Sequence, residues 1–366
     1  MTRESSPVLI PAGKVFDAAE ITFYADPERR SLEQAITEAD VLVSCPHSGA
    51  AIPEELSRFL APEFTRRLQY DFSDVSTSAI VRRWAQIDPR IVYVENPHPR
   101  MIRDPNRARP ADLAAQLGEA IARVREAGPY ARVDLTGVDA IRPVTFSFYP
   151  LLTVPTTAEE LRELTSAFES VAEQGLGVYE RTRDDLNERF IEAKTAQARA
   201  GYRVRYTRLS FHDTMNTTTT REGAVNVERE PKDRLPRIVA LSNRGDHHGD
   251  ARPEEPVSMD PARVRALADA HRVGFHAAEA EDIALNQPYL GSQEIISARD
   301  RFAREPALSG LSLDAVQAEF LREYLLGEEN TAILREPGTG WVTPHPDHVD
   351  RIAHACKAAW DAYRDH

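Results

Sequence analysis

Two short apolar runs on either side of a helical pattern constrain the fold more than any other feature. The runs at residues 41–43 and 91–94 predict buried strands. Between them, apolar residues recur at helical spacing over 74–85. A strand, a helix and a second strand at this spacing form a βαβ unit, in which the helix crosses over, nearly always in the right-handed sense, to a second strand parallel to the first. The sequence therefore predicts an α/β fold built on a parallel sheet.

The rest of the chain continues this alternation of strands and helices. Further strands are predicted at 203–211, 238–241 and 294–296, and helices at 111–127, 161–176, 178–200, 261–273 and 347–364. Residues 313–326 fit either a helix or a strand that turns into a helix. We predict a lead-in over residues 1–37 that packs on a single α/β domain over 38–366, with a helical insertion near 155–200.

The composition argues against several classes of protein. Hydrophobic residues make up 42% of the 366 positions and charged residues 28%, as in an ordinary globular domain. No segment approaches the roughly 18 apolar residues of a membrane span. The net charge of −13 argues against nucleic-acid binding, because phosphate contacts need clustered lysine and arginine. We expect a cytoplasmic protein, since it has only two cysteines and no apolar run of a secretory signal at its amino terminus.

Polar residues that could carry chemistry lie where the predicted strands end. The carboxyl edge of an open α/β sheet is where ligands bind. His47 follows the strand at 41–43, and His212 follows the one at 203–211. The alternative for His47 alone is a loop histidine that makes a hydrogen bond and has no chemical role. The wider set at strand ends is His47, Asp71 or Asp74, Asn106 with Arg107, His212, and Glu319.

The residue types in this set suit metal-dependent hydrolysis. Two imidazoles and one carboxylate form a zinc site whose fourth position is open to water. A nearby carboxylate can take the proton of that water, an arginine can hold a substrate carboxylate, and a second donor can stabilise an oxyanion. Each role has a candidate in the set, although spacing alone does not place the residues together. The sequence lacks a Gly-x-Ser-x-Gly elbow, a phosphate-binding glycine loop, a dinucleotide fingerprint and a Cys-x-x-Cys pair.

Six segments resemble motifs of the N-formylglutamate amidohydrolase family, in the order and at the spacing of that family. Together they run from about residue 41 to residue 326. The segments are Cys-Pro-His-Ser-Gly at 45–49, Tyr-Asp-Phe-Ser-Asp at 70–74, Arg-Asp-Pro-Asn-Arg at 103–107, His212, the Gly-Asp loop at 242–249, and Gln-Ala-Glu-Phe at 317–320.

The resemblance implies a fold and a set of site residues. The family is similar to zinc carboxypeptidases, which implies an α/β fold with a mixed, mostly parallel central sheet flanked by helices. A divalent metal ion, expected to be Zn²⁺, would be bound by His47 and His212. Asn106 and Arg107 would bind a substrate carboxylate or an oxyanion, and Glu319 would act as general base.

One ligand of the carboxypeptidase pattern is missing from this chain. Position 50 is alanine, where the zinc carboxypeptidases have a glutamate ligand. The third ligand must therefore come from elsewhere, and Asp71 and Asp74 are both candidates. For either aspartate the alternative role is a helix cap.

The resemblance also implies an activity and a substrate. We expect a hydrolase that cleaves the amide of a small N-acyl amino acid, with N-formyl-L-glutamate yielding L-glutamate and formate. The alternatives are a zinc-dependent deacylase or carboxypeptidase that acts on another acyl amino acid or peptide, and a family member that binds a ligand without catalysis. No nucleic-acid or membrane partner is expected.

Overall fold

The centre of the protein is a seven-stranded mixed sheet between two layers of helices. A computed structural model describes residues 6–253, 255–304 and 311–366. The strands are β1 Leu9–Ile10, β2 Thr22–Phe23, β3 Val41–Cys45, β4 Ile52–Pro53, β5 Ile91–Glu95, β6 Val204–Thr214, β7 Thr217–Thr219, β8 Val225–Glu228, β9 Val239–Ser242, β10 Ile283–Leu285 and β11 Leu311–Leu321. The helices are α1 Leu32–Glu38, α2 Arg66–Asp71, α3 Val75–Ile87, α4 Leu113–Ala127, α5 Ala158–Gln174, α6 Leu176–Arg199, α7 Pro261–Gly274, α8 Gln293–Phe302, α9 Arg322–Leu326, α10 Glu328–Arg335 and α11 Pro346–Arg364.

The strand order in the central sheet is β10-β9-β11-β6-β3-β5-β2. Its four middle strands, β11, β6, β3 and β5, are parallel. β9 pairs antiparallel with β11 on one side, and β2 pairs antiparallel with β5 on the other. The predicted α/β class with a mixed sheet is confirmed, and "mostly parallel" describes the middle of the sheet better than its two sides.

Each face of the middle strands is buried against helices, because their residues alternate between two apolar clusters. Leu42 and Val92 belong to a cluster that includes residues of α4, α5 and α6. Val41 and Val43 belong to a second cluster that includes residues of α3, α7 and α11. Strands buried on both faces read as continuous apolar runs, which is the pattern seen in the sequence.

Most predicted strands are present, and one predicted strand is part of a helix. The strands expected at 41–43, 91–94, 203–211 and 238–241 are β3, β5, β6 and β9. Residues 313–326 follow the second of their two interpretations, a strand that turns into a helix. The strand predicted at 294–296 is wrong, since this segment lies in α8. There Ile295, Ala298 and Phe302 are buried at helical spacing. The segment 294–296 is too short to show this spacing.

The amino-terminal segment takes part in the sheet. β2 is its edge strand, and two residues separate the end of α1 from the start of β3. The division into a lead-in and a single domain stays a prediction. None of the described helices is long and apolar enough to cross a membrane.

Candidate metal centre

Two histidines and one aspartate meet at the carboxyl edge of the sheet. His47 lies in the loop after β3, Asp74 immediately precedes α3, and His212 lies near the end of β6. One ligand atom from each residue lies within 4.8 Å of the other two, and all three side chains are buried. Oδ2 of Asp74 is 3.4 Å from Nδ1 of His47 and 3.0 Å from Nδ1 of His212. The structure thus brings together three residues that are 27 and 138 positions apart along the chain.

The His47 ring is oriented by a carboxylate on its far side. Its Nε2 lies 2.7 Å from Oδ1 of Asp104. Burial raises the pKa of Asp104, but the charges of Arg100 and His47 outweigh this and hold the pKa well below its usual range. An ionised carboxylate only accepts hydrogen bonds, so Nε2–H of His47 donates to it. The buried Nδ1 of His47 has no hydrogen-bond partner and is left with a lone pair.

The His212 ring has a similar pair of neighbours. Its Nε2 lies 2.9 Å from the hydroxyl oxygen of Ser210, and its Nδ1 faces Asp74. Burial lowers the pKa of His212, but the Asp74 and Glu319 carboxylates outweigh burial and raise the pKa above its usual value. His212 thus lies where a positive charge is favoured, as expected of a residue beside a cation site.

Asp74 occupies a cap position without acting as a cap. It is the N-cap residue of α3, yet its side chain makes no capping hydrogen bond. Burial raises the pKa of Asp74, but the two histidines outweigh it and hold the carboxyl ionised. Its backbone N–H donates to the carbonyl oxygen of His47 at 2.8 Å, which ties the start of α3 to the loop after β3.

Asp71, the other aspartate considered as a ligand, lies outside this group. It ends α2, and its carboxylate accepts a hydrogen bond from Oγ1 of Thr219 at 2.7 Å. Arg322 separates the two aspartates, with guanidinium nitrogens 3.9 Å from Oδ1 of Asp71 and 3.8 Å from Oδ1 of Asp74. Of the two alternatives, the structure places Asp74 with the histidines.

The donor set fits a divalent metal ion. Two imidazole nitrogens and one carboxylate oxygen are the ligand types of hydrolytic zinc sites. The buried Nδ1 of His47 without a partner is the observation that favours a ligand, because burying an unsatisfied polar atom costs about 1–3 kcal/mol. Asp104 also gives His47 the carboxylate that ligating histidines commonly contact.

Glu319 lies beside this group on the neighbouring strand. It is the register partner of His212 in the parallel pairing of β11 with β6. Its carboxylate accepts hydrogen bonds from Oγ1 of Thr214 at 2.6 Å and from Nε2 of Gln317 at 3.0 Å. These two donors fix the carboxylate at the wall of a cleft of about 500 Å³, which His47, Asp74 and His212 also line.

Asn106 and Arg107 line the same cleft. Oδ1 of Asn106 accepts a hydrogen bond from the backbone N–H of Glu294 at 3.1 Å. Nε of Arg107 contacts Asp139 at 2.7 Å, and its Nη1 donates to the carbonyl oxygen of Asn106 at 3.1 Å. The structure therefore brings six of the seven predicted site residues to one cleft, and Asp71 is the exception. A larger groove of about 1250 Å³ lies beside β2, but none of the predicted residues lines it.

The sequence pattern does not identify several residues of the site. Asp104 contacts the His47 ring, and Arg322 donates to the carbonyl oxygen of Ser73 just before α3. Arg229 and Tyr289 line the cleft. For Asp104 a signal was present, because it lies inside the 103–107 motif two residues before Asn106. Arg322, Arg229 and Tyr289 lie outside the six motif segments, and only the fold brings them close to the site.

A comparison with known families matches residues 39–323 to N-formylglutamate amidohydrolase. This chain belongs to that family. The match confirms the resemblance seen in the motifs, and it covers most of the chain. Members of the N-formylglutamate amidohydrolase family hydrolyse C–N bonds other than peptide bonds, so the protein is a hydrolase of this class. A search among curated proteins and a search among solved structures found no match.

Proposed function

We propose that the protein is a metal-dependent amidohydrolase that converts N-formyl-L-glutamate and water to L-glutamate and formate. The observation that carries this proposal is the buried group His47, Asp74 and His212 beside Glu319 in one cleft. The family match and the presence of ligand types found in hydrolytic zinc sites both support hydrolysis of an amide bond. The proposed holders of the ion are Nδ1 of His47, Nδ1 of His212 and a carboxylate oxygen of Asp74.

The chain supplies a general base next to the proposed ion. A divalent cation supplies Lewis acidity, which activates water at neutral pH and polarises a substrate carbonyl. Glu319 takes a proton from the attacking water and delivers it to the nitrogen that leaves with L-glutamate. Thr214 and Gln317 keep the carboxylate in place, because each donates to a different oxygen of Glu319.

The cleft also suits a substrate that carries negative charge. Arg107 keeps part of its guanidinium available beyond its contact with Asp139, and with Asn106 it can bind a substrate carboxylate. Arg229 lines the same cleft, and its Nη1 donates to the Tyr289 hydroxyl at 3.2 Å. Within residues 6–253, 255–304 and 311–366, Nε of Arg229 is buried without a partner, and no carboxylate forms an ion pair with this guanidinium.

Arg229 therefore provides a second positive group for a substrate with two carboxylates. Arg107 and Asn106 hold the α-carboxylate, and Arg229 holds the carboxylate of the glutamate side chain. A hydrogen bond to a charged group contributes about 1.5–3 kcal/mol, which corresponds to roughly 10- to 150-fold in kcat/KM. N-formyl-L-glutamine has the same shape without the side-chain charge and is the matched comparison.

The test uses zinc-loaded protein and measures formate release from N-formyl-L-glutamate, N-formyl-L-glutamine and N-formyl-L-aspartate, and amino-acid release from a short unformylated peptide. We expect N-formyl-L-glutamate to have the highest kcat/KM. The substitution Arg229→Met should lower this value at least tenfold and should change the value for N-formyl-L-glutamine by less than threefold. Release of amino acids from the peptide without any deformylation would contradict the proposal and indicate a carboxypeptidase.

A further inference from the structure

Glu294 is a buried carboxylate behind the candidate metal centre. It lies in the first turn of α8 and accepts hydrogen bonds from four side chains. Oε2 accepts from the hydroxyls of Ser44 at 2.6 Å and Ser210 at 3.0 Å. Oε1 accepts from the Tyr179 hydroxyl at 2.5 Å and from Nη1 of Arg183 at 2.8 Å. The carboxylate therefore joins β3, β6, α6 and α8 below the carboxyl edge of the sheet.

The charge of Glu294 sets the direction of the hydrogen bonds around it. Burial raises the pKa of Glu294, but the charges of Arg183 and Arg208 outweigh burial and bring the pKa to about 2. Glu294 is therefore ionised and only accepts hydrogen bonds. Ser210 has a single hydroxyl proton, which it donates to Glu294. The Ser210 oxygen can then only accept from Nε2 of His212, 2.9 Å away.

Without an ion, Nδ1–H of His212 donates to Asp74 at 3.0 Å. Because Ser210 accepts from Nε2–H, the proton that His212 gives up to a cation is the one on Nδ1, which leaves the Nδ1 lone pair for the ion. The other candidate histidine has the same arrangement, with Asp104 in direct contact with its Nε2. We propose that Glu294 is a positioning residue that acts through Ser210 to fix His212 as the tautomer whose Nδ1 binds the metal ion. This inference rests on the metal site proposed above.

The isosteric substitution Glu294→Gln should reverse this chain of hydrogen bonds. Arg183 can only donate, so the glutamine oxygen is directed to Arg183 and Tyr179. The glutamine NH₂ group then faces Ser44 and Ser210. Because NH₂ donates to the Ser210 oxygen, the Ser210 hydroxyl becomes free to donate to Nε2 of His212. The favoured tautomer then carries its proton on Nδ1, the atom that would otherwise bind the ion.

The test measures zinc affinity of the full-length protein by competition with a chromophoric chelator. We expect Glu294→Gln to weaken zinc binding 10- to 100-fold, the range found for residues behind metal ligands. Ser44→Ala is the matched control, because it also removes one hydrogen bond to Oε2 of Glu294 but does not touch the path to His212. Zinc affinity of Ser44→Ala should stay within twofold of wild type.

A spectroscopic measurement separates this role from general loss of packing. In zinc-loaded wild-type protein, nitrogen-15 NMR should show a hydrogen-bonded Nε2–H on His212 that exchanges slowly. The signal should persist in Ser44→Ala and should be lost or exchange rapidly in Glu294→Gln. If Glu294→Gln does not fold, Ser210→Ala decides, with an expected loss of about tenfold in zinc affinity.

The zinc affinity of wild-type protein separates failure of the proposed metal site from failure of the role of Glu294. Wild-type protein that binds no zinc would contradict the proposed metal site itself. Tight zinc binding by wild type, with unchanged affinity in folded Glu294→Gln or in Ser210→Ala, would overturn the role of Glu294 and leave the proposed function standing.

Discussion

At the scale of single residues, Asp71 and Asp74 have different surroundings although they are three positions apart. Asp74 faces two imidazoles, whereas Asp71 accepts a hydrogen bond from Thr219 and lies near Arg322. Both carboxylates are near the same guanidinium, so charge alone does not separate them. Only Asp74 has the neighbours of a metal ligand.

This difference gives a matched pair of substitutions. Asp74→Asn should weaken zinc binding at least 100-fold, because it removes the only carboxylate of the three proposed ligands. Asp71→Asn should leave zinc affinity within threefold of wild type. Equilibrium dialysis with metal analysis measures both. Equal losses in the two variants would show that Asp71 is also a ligand.

Glu319 should affect the chemical step and not the binding of the ion. Glu319→Gln keeps the size of the side chain and removes the proton acceptor, so kcat for N-formyl-L-glutamate should fall about 10²- to 10⁴-fold. Zinc content should stay at the wild-type level, since Glu319 is not one of the three grouped ligands. Steady-state kinetics on metal-analysed protein measures both quantities, and retention of more than a tenth of wild-type kcat would exclude this role.

The sequence predicts part of the residue-level site. His47 and His212 are predictable because His47 follows an apolar strand, His212 lies at the end of an alternating one, and each matches a family motif. The choice of Asp74 over Asp71 is not, because both precede the α3 pattern and the direction of a side chain at a helix start depends on tertiary contacts. The roles of Arg322 and Glu294 are not predictable for another reason. Buried charges have no sequence periodicity, and the partners of these two residues lie far along the chain.

At the scale of elements, the loop after β3 depends on a glycine. A Cβ atom on Gly49 would lie 2.1 Å from the carbonyl oxygen of Pro97 and 2.4 Å from that of Asn96. Both neighbours are backbone atoms of the segment after β5 and cannot rotate away. The glycine of the Pro-His-Ser-Gly motif therefore lets the loop that carries His47 pack against the neighbouring segment.

Gly49→Ala should displace this loop. We expect a loss of about 2 kcal/mol or more in the free energy of unfolding, from overpacking against backbone, together with weaker zinc binding. Gly118→Ala in α4 is the control, because its Cβ meets only the end of the Leu161 side chain at 3.3 Å and alanine favours a helix. Urea unfolding of both variants checks the prediction, and wild-type stability of Gly49→Ala would contradict it.

The regular elements were more predictable than the connections between them. Strands buried on both faces are predictable from their continuous apolar runs, as β3 and β5 are. The segment at 294–296 was misassigned because Glu-Ile-Ile fits a short strand, and the helical spacing of Ile295, Ala298 and Phe302 becomes evident only over ten residues. The loop after β5, which holds Asp104 and Asn106, has no periodicity to predict its path.

At the scale of the whole molecule, a buried histidine links stability to pH. His271 lies in α7 against Trp360 of α11, and its Nδ1 donates to the carbonyl oxygen of Leu267 at 2.8 Å. Burial disfavours the imidazolium and lowers the pKa of His271 from 6.5 to about 4. Between these values the unfolded chain binds more protons than the folded one, so stability falls as the pH falls.

The shift in the pKa of His271 predicts a loss of about 3 kcal/mol of stability as the pH falls from above 6.5 to below 4. His271→Gln should be less stable than wild type at pH 7 and should lose less stability on acidification. His345→Gln, at an exposed position before α11, should keep the wild-type dependence. Urea midpoints measured from pH 7.5 to 4 test this, and parallel curves for wild type and His271→Gln would refute it.

The most direct test of the proposed metal dependence strips the protein of metal and then adds zinc back. Formate release from N-formyl-L-glutamate is measured for wild-type protein as purified, after complete removal of metal with a chelator, and after addition of one equivalent of Zn²⁺. We expect turnover to be lost with the metal and recovered at one zinc per chain, with no recovery in His47→Ala. Full turnover by metal-free protein, or no formate from fully loaded protein, would contradict this expectation.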